Sequence, residues 1–107
     1  MIARSRLEAF WKRYPDSVQQ LKAWYFEAQH ASWRNPAQIK AQYRNASILK
    51  GRRVVFNICG NKYRLACDVL FGQGILFIKF VGTHEQYNSI NAETYDDEHS
   101  QGPQKRS

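Results

Sequence analysis

The chain has 107 residues, enough for one domain with its own core, and 43% apolar content with 15 aromatics excludes a polypeptide that cannot collapse. No apolar run approaches the ~18 residues needed to span a bilayer. The start, MIARSRLEAFW, lacks the apolar stretch and small-residue cleavage site of an export signal, so a cytoplasmic location with reduced cysteines is expected. The net charge of +7 is concentrated in the first 91 residues, which hold 14 bases against 5 acids, or +9. A small basic domain of this kind points to a polyanionic partner, most simply nucleic acid, and not to a membrane.

Leu7, Phe10, Trp11 and Tyr14 fall at the i, i+3, i+4, i+7 spacing of one apolar helix stripe, which Pro15 ends. Met1 to Arg4 could add an edge strand. Asp16 is placed to cap a second helix, in which Val18, Leu21, Trp24, Tyr25, Ala28 and Ala31 face the core. Asn35-Pro36 supplies a cap followed by proline at the first helical position. It opens a short third helix through about Arg44, with Ile39 and Tyr43 inward. A polar connector, Asn45 to Gly51, leads to the stretch VVFNICGNKYRLACDVLFGQGILFIKFVGTHEQY, Val54 to Tyr87. Its apolar runs, cut by Gly60-Asn61 and Gly72-Gln73-Gly74, predict an antiparallel meander of three strands. The fold class is therefore α+β, one domain over residues 1–92, with a polar tail from 93 to 107 expected to be disordered.

With Gly60-Asn61 as the hairpin turn, Ile58 faces Tyr63, Phe56 faces Leu65 and Val54 faces Cys67, all on one side. Asn57 then stands beside Arg64, and Arg53 beside Asp68, on the other. A turn at Gln73-Gly74 pairs Val69 with Ile78 and Cys67 with Phe80, and sets Lys79 opposite Asp68. A turn at Gly72-Gln73 keeps the same parity. Helices would then cover the apolar face, while Arg53, Asn57, Lys62, Arg64 and Lys79 face outward. Cations this close repel one another unless an anion lies between them, and a phosphate backbone fits that requirement.

After the third strand, Gly82 breaks the pattern and Thr83 can cap a short helix, with Gln86 three residues on as in a capping box. His84 and Tyr87, three apart, share a face of that helix; an imidazole and a phenol can move protons or orient a phosphate. No metal-ligand spacing, CxxC pair or phosphate-binding glycine loop occurs, and Cys59 and Cys67 read as strand residues. An enzyme with these parts would work by acid–base chemistry and cationic stabilisation. RNA offers a suitable reaction, because its own 2′-hydroxyl can attack the adjacent phosphate. The bland alternative is a solvated basic face with a surface histidine and a packing tyrosine.

The segment VVFNICGNKYRLACDV followed by ILFIKFVGTHEQYNSINAET resembles the HigB family of toxins in type II toxin–antitoxin systems. The GNKYRL hairpin, the FVGTHxxY element, Trp33 to Pro36 and the helical N-terminal half carry the resemblance over roughly residues 4–94. It implies a RelE-like fold: a small antiparallel sheet with N-terminal helices on one face and a short C-terminal helix. It also implies a metal-independent, cofactor-free endoribonuclease that cuts mRNA on the translating ribosome. Such a toxin is silenced by a helix-turn-helix antitoxin of the HigA type and reaches operator DNA only through that complex. By the same resemblance Lys62, Arg64, Lys79, His84 and Tyr87 are the expected catalytic residues. Arg53, Asn57 and Asn61 are expected to bind RNA. Cys59, where relatives often carry glycine, and Cys67 and Asp68 depart from the pattern. The runner-up is a non-catalytic RNA-binding or operon-regulatory module on the same basic face.

Overall fold

A computed structural model describes residues 4–31 and 33–95. The helical half follows the apolar spacing. Helix α1 (Arg4–Arg13) buries Leu7 and Phe10, and Pro15 turns the chain into a single 3₁₀ turn, Pro15–Ser17. Helix α2 (Val18–His30) buries Leu21, Trp24 and Ala28. Helix α3 (Pro36–Gln42) is capped by Asn35, whose Oδ1 accepts from Gln38 N at 3.1 Å, and it buries Ile39 completely. Arg4 already belongs to α1, and Met1 to Ala3, the rest of the expected edge strand, lie outside the described residues. Asp16 does not cap α2: the cap position falls to Ser17, without a side-chain bond. The 3₁₀ turn moves Asp16 one residue ahead of the cap, and its carboxylate finds stronger donors elsewhere.

The sheet has the order β1-β2-β3-β4, every neighbour antiparallel: β1 (Ser47–Ile48), β2 (Arg53–Ile58), β3 (Tyr63–Leu70) and β4 (Ile75–Thr83). Strand β1 lies inside the expected connector and is too short to show an alternation. Between β2 and β3 the expected pairs all form, Val54 with Cys67, Phe56 with Leu65 and Ile58 with Tyr63. Lys62 N donates to Cys59 O at 3.2 Å across Gly60-Asn61, and Cys59 and Gly60 both take positive φ, 55° and 66°. A cysteine in that region is unusual, since its Cβ crowds the following carbonyl.

The second hairpin differs from expectation. Its turn holds four residues, Phe71 to Gly74, so Val69 meets Leu76, Asp68 meets Phe77 and Cys67 meets Ile78. Lys79 is therefore not opposite Asp68. It is the extra residue of a β-bulge, beyond which Ala66 pairs with Phe80, Leu65 with Val81 and Arg64 with Gly82. One inserted residue reverses the faces of the rest of the strand. Phe80, expected beneath the helices, thus lies on the opposite face. Nor does Gly82 break β4, which continues through Thr83.

The two faces consequently carry two cores. Beneath the helices, Leu7, Leu21, Trp24, Trp33, Val54, Phe56, Leu65 and Ile78 form the larger one. On the other face Val55, Ala66 and Phe80 are buried under Tyr87, Ile90, Ala92 and Tyr95. The expected open cationic surface is therefore covered at its centre by α4 (His84–Asn88) and the chain that follows it. Arg53 is a structural part of this cover and only 6% exposed. Its Nε donates to Asp68 Oδ1 at 2.6 Å, and its Nη1 to the carbonyls of Ala92 at 3.0 Å and Tyr95 at 2.7 Å. The chain thus packs on the sheet through Tyr95, past residue 92, and residues 96–107 of the expected tail lie outside the described residues.

Candidate active site

The start of β3 and the end of β4 converge on one end of the sheet. Tyr63 pairs with Thr83 and Arg64 with Gly82, and His84 N donates to Lys62 O at 3.0 Å, extending the ladder by one bond. Helix α4 therefore begins beside the tip of the first hairpin. The capping box expected there is present: Thr83 Oγ1 accepts from Gln86 N at 3.1 Å, and Gln86 Oε1 from Thr83 N at 2.9 Å. These bonds settle backbone donors that a helix start leaves open. Gly82 makes the arrangement possible, because a Cβ there would sit 2.6 Å from Gln86 Oε1 and 2.6 Å from Phe80 Cζ.

Four of the expected residues gather here. Arg64 Nη1 donates to Asn61 O at 3.1 Å, and its guanidinium carbon lies 5.6 Å from the centroid of the Tyr87 ring. The Tyr87 ring in turn stands 6.3 Å from Phe80, so the smaller core holds the phenol in place. His84 is exposed on the first turn of α4, three residues ahead of Tyr87 on the same face. Arg64 can present a planar charge to a phosphate, the commonest use of a guanidinium. The Tyr87 phenol beside it, and the His84 imidazole at the start of the same helix, can take or give a proton.

The other expected residues are placed differently. The Lys62 ammonium bonds to the Asp16 carboxylate, which also accepts from Tyr63 Oη at 2.5 Å. The Asp16 carboxylate raises the Lys62 pKa through this bond, and the Asp16 carboxyl is held below the ordinary range, first by Lys62 and then by Tyr63. The Tyr63 phenol is pushed up to about 12, chiefly by its bond to that carboxylate. Lys79 stands at the bulge, half-buried, its ammonium 5.7 Å from the Phe77 ring centroid. Asn57, beside Arg64 in register, donates through Nδ2 to Asn45 O at 3.3 Å. Arg53 lies at the far end of β2, inside the cover already described. Among the described residues no group of three or more His, Cys, Asp and Glu side chains could hold a metal ion. Asp16 and Gln20 were beyond sequence reasoning as parts of the site. They lie more than 35 residues from the hairpin tip they contact, and no periodicity reports such a pairing.

Residues 17–90 match the family model of the HigB toxin, the RelE-like toxic component of a toxin–antitoxin system. The chain belongs to the HigB toxin family. The match begins at Ser17 and ends at Ile90, so it covers the hairpin, the bulged strand and α4, with every site residue expected from the sequence. No curated protein matches the chain. The α+β architecture, N-terminal helices against an antiparallel sheet with a short C-terminal helix, is the RelE-like fold of this family. A toxic component of such a system has an antitoxin as its partner. Asp16 falls one residue outside the matched region.

Proposed function

We propose that this HigB-family chain is an endoribonuclease that cleaves mRNA on the translating ribosome and is neutralised by a helix-turn-helix antitoxin of the HigA type. One observation carries the chemistry: Arg64, Tyr87 and His84, from two elements, converge at one end of the sheet beside the hairpin tip. A phosphodiester lying along this end would meet the Arg64 guanidinium. The 2′-hydroxyl attacks the adjacent phosphorus, the bond to the 5′-oxygen breaks, and charge accumulates on the non-bridging oxygens. Arg64 stabilises that charge, an electrostatic effect that dominates many such reactions. One of His84 and Tyr87 accepts the 2′-proton and the other supplies a proton to the departing 5′-oxygen. No metal ion is required by this route. Lys79 and Lys62 contribute positive field along the strand, and Asn57 and Asn61 line the approach for the RNA backbone.

Purified protein incubated with ribosomes and a translated mRNA should yield fragments ending in 2′,3′-cyclic or 3′-phosphate. The antitoxin encoded beside it should abolish them. Intact RNA recovered from a salt-sensitive complex would instead establish the non-catalytic binding module.

A further inference from the structure

Lys62 stands apart from the other cations of the site. Strand parity groups it with Arg64, yet its ammonium lies on the other side of the sheet. Tyr63, the next residue, places its ring in the helix-side core, 5.3 Å from Phe10 and 5.4 Å from Tyr14. Lys62 Nζ rests 5.8 Å from the centroid of that ring and donates to Asp16 Oδ2. Arg64, by contrast, lies over Tyr87 on the second face. The Asp16 carboxylate is itself well fixed. Tyr63, only 4% exposed, holds its other oxygen. Two further contacts tie the hairpin tip to the same corner: Cys59 N to Gln20 Oε1 at 2.7 Å and Cys59 Sγ to Asp16 O at 3.4 Å. A carboxylate held by a buried phenol therefore decides on which side of the tip the lysine rests.

The pairing is also exchangeable. The side chains of Lys62 and Asp16 are 61% and 46% exposed, and an exposed pair of this kind shifts an equilibrium only about 1.4- to 5-fold. Lysine carries its charge on a flexible four-carbon stem, and Lys62 lies at the turn, where either face is within its reach. A bound polyanion offers a stronger competing field than one carboxylate.

We propose that Asp16 restrains Lys62: in the free protein it parks the ammonium on the helix side of the hairpin tip. An RNA phosphate bound beside Arg64 then draws it across to the second face, as a further cation of the site. This rests on the reading that this end of the sheet binds RNA. The test is a double-mutant cycle on Asp16→Asn and Lys62→Gln. It measures affinity for a labelled single-stranded 2′-deoxy oligonucleotide, which cannot be cleaved, alongside cleavage of a translated mRNA on ribosomes. Asp16→Asn should tighten binding about two- to five-fold when Lys62 is present and leave Lys62→Gln unchanged. Equal tightening in both backgrounds, no change, or weaker binding overturns the restraint. Dimethyl-lysine NMR of the wild type gives a second reading that needs no Asp16 variant. The Lys62 signal, identified by Lys62→Arg, should move on saturation with the oligonucleotide, and an unmoved signal overturns the proposal. A coupled cycle without cleavage of the translated mRNA retains the restraint and removes the nuclease. Cleavage with a flat cycle does the reverse, and a wild type that does not bind the oligonucleotide overturns the restraint.

Discussion

Arg64 combines a bond to the Asn61 carbonyl with a planar face over the Tyr87 ring, and a lysine could not supply the second. Arg64→Ala is expected to lower cleavage about 100-fold or more, the usual loss when a charge-stabilising group is removed, with the thermal midpoint little changed. Arg64→Lys should recover only part of the rate, since it restores the charge without the stacking; single-turnover assays distinguish the two. Arg53 presents the opposite case, a cation fully engaged by Asp68 and two carbonyls. Arg53→Ala should cost about 2 to 3 kcal/mol in denaturant unfolding, the lower side of a buried pair because Asp68 keeps some exposure. Asp16 makes a prediction with a sign. Its carboxyl is held below the ordinary value of 3.8, first by Lys62 and then by Tyr63. The stability it contributes is complete at neutral pH and is lost as pH falls through the ordinary carboxylate range toward the lowered value. Melting curves below about pH 4 should therefore flatten in Asp16→Asn relative to the wild type.

At the scale of elements, the position of α4 determines whether His84 and Tyr87 stand beside Arg64. Its start depends on the Thr83–Gln86 capping box and on the missing side chain at Gly82. Gly82→Ala forces Gln86 or Phe80 aside and should cost about 1 to 3 kcal/mol by overpacking; unfolding in urea with cleavage on the same sample measures it, and activity should fall further than stability alone explains. The first hairpin was legible because a glycine turn fixes register and alternation then sorts every side chain to a face. The second was not. Ile78 and Phe80 are both apolar, so the sequence between them gives no sign that Lys79 is an insertion. The bulge is visible only in the pairing, and it places Phe80 on the far face. The capping box, by contrast, is a local pattern and could be read directly. Asp16 was misread for the same reason as the bulge: a cap is a local signal, but the donors that claimed its carboxylate lie 46 and 47 residues away.

Across the whole molecule, the sheet separates two layers of unequal size. The helical layer provides the main core, and the smaller layer joins β4, α4 and the chain through Tyr95 into the support of the site. Tyr95 meets Phe80 edge to face at 5.5 Å, and its carbonyl accepts from Arg53. Truncation after Ile90 should lower the thermal midpoint by uncovering Val55, Ala66 and Phe80 and removing two acceptors from Arg53. Differential scanning fluorimetry compares it with a chain truncated after Tyr95, which keeps both acceptors. Composition identified a basic globule, and the alternation of the first hairpin identified the strand that carries Arg64. The cover over the second face was hidden because its residues, Tyr87, Ile90, Ala92 and Tyr95, are sparse apolar points in a polar stretch. The central claim is that the end of the sheet carrying Arg64, His84 and Tyr87 cuts mRNA. The most direct measurement maps new 5′ ends in cellular RNA after brief induction of the wild type and of Arg64→Ala. The account predicts cuts within translated reading frames in the wild type and their loss in the variant. Growth arrest without new ends, or an unchanged set of ends in the variant, would contradict it.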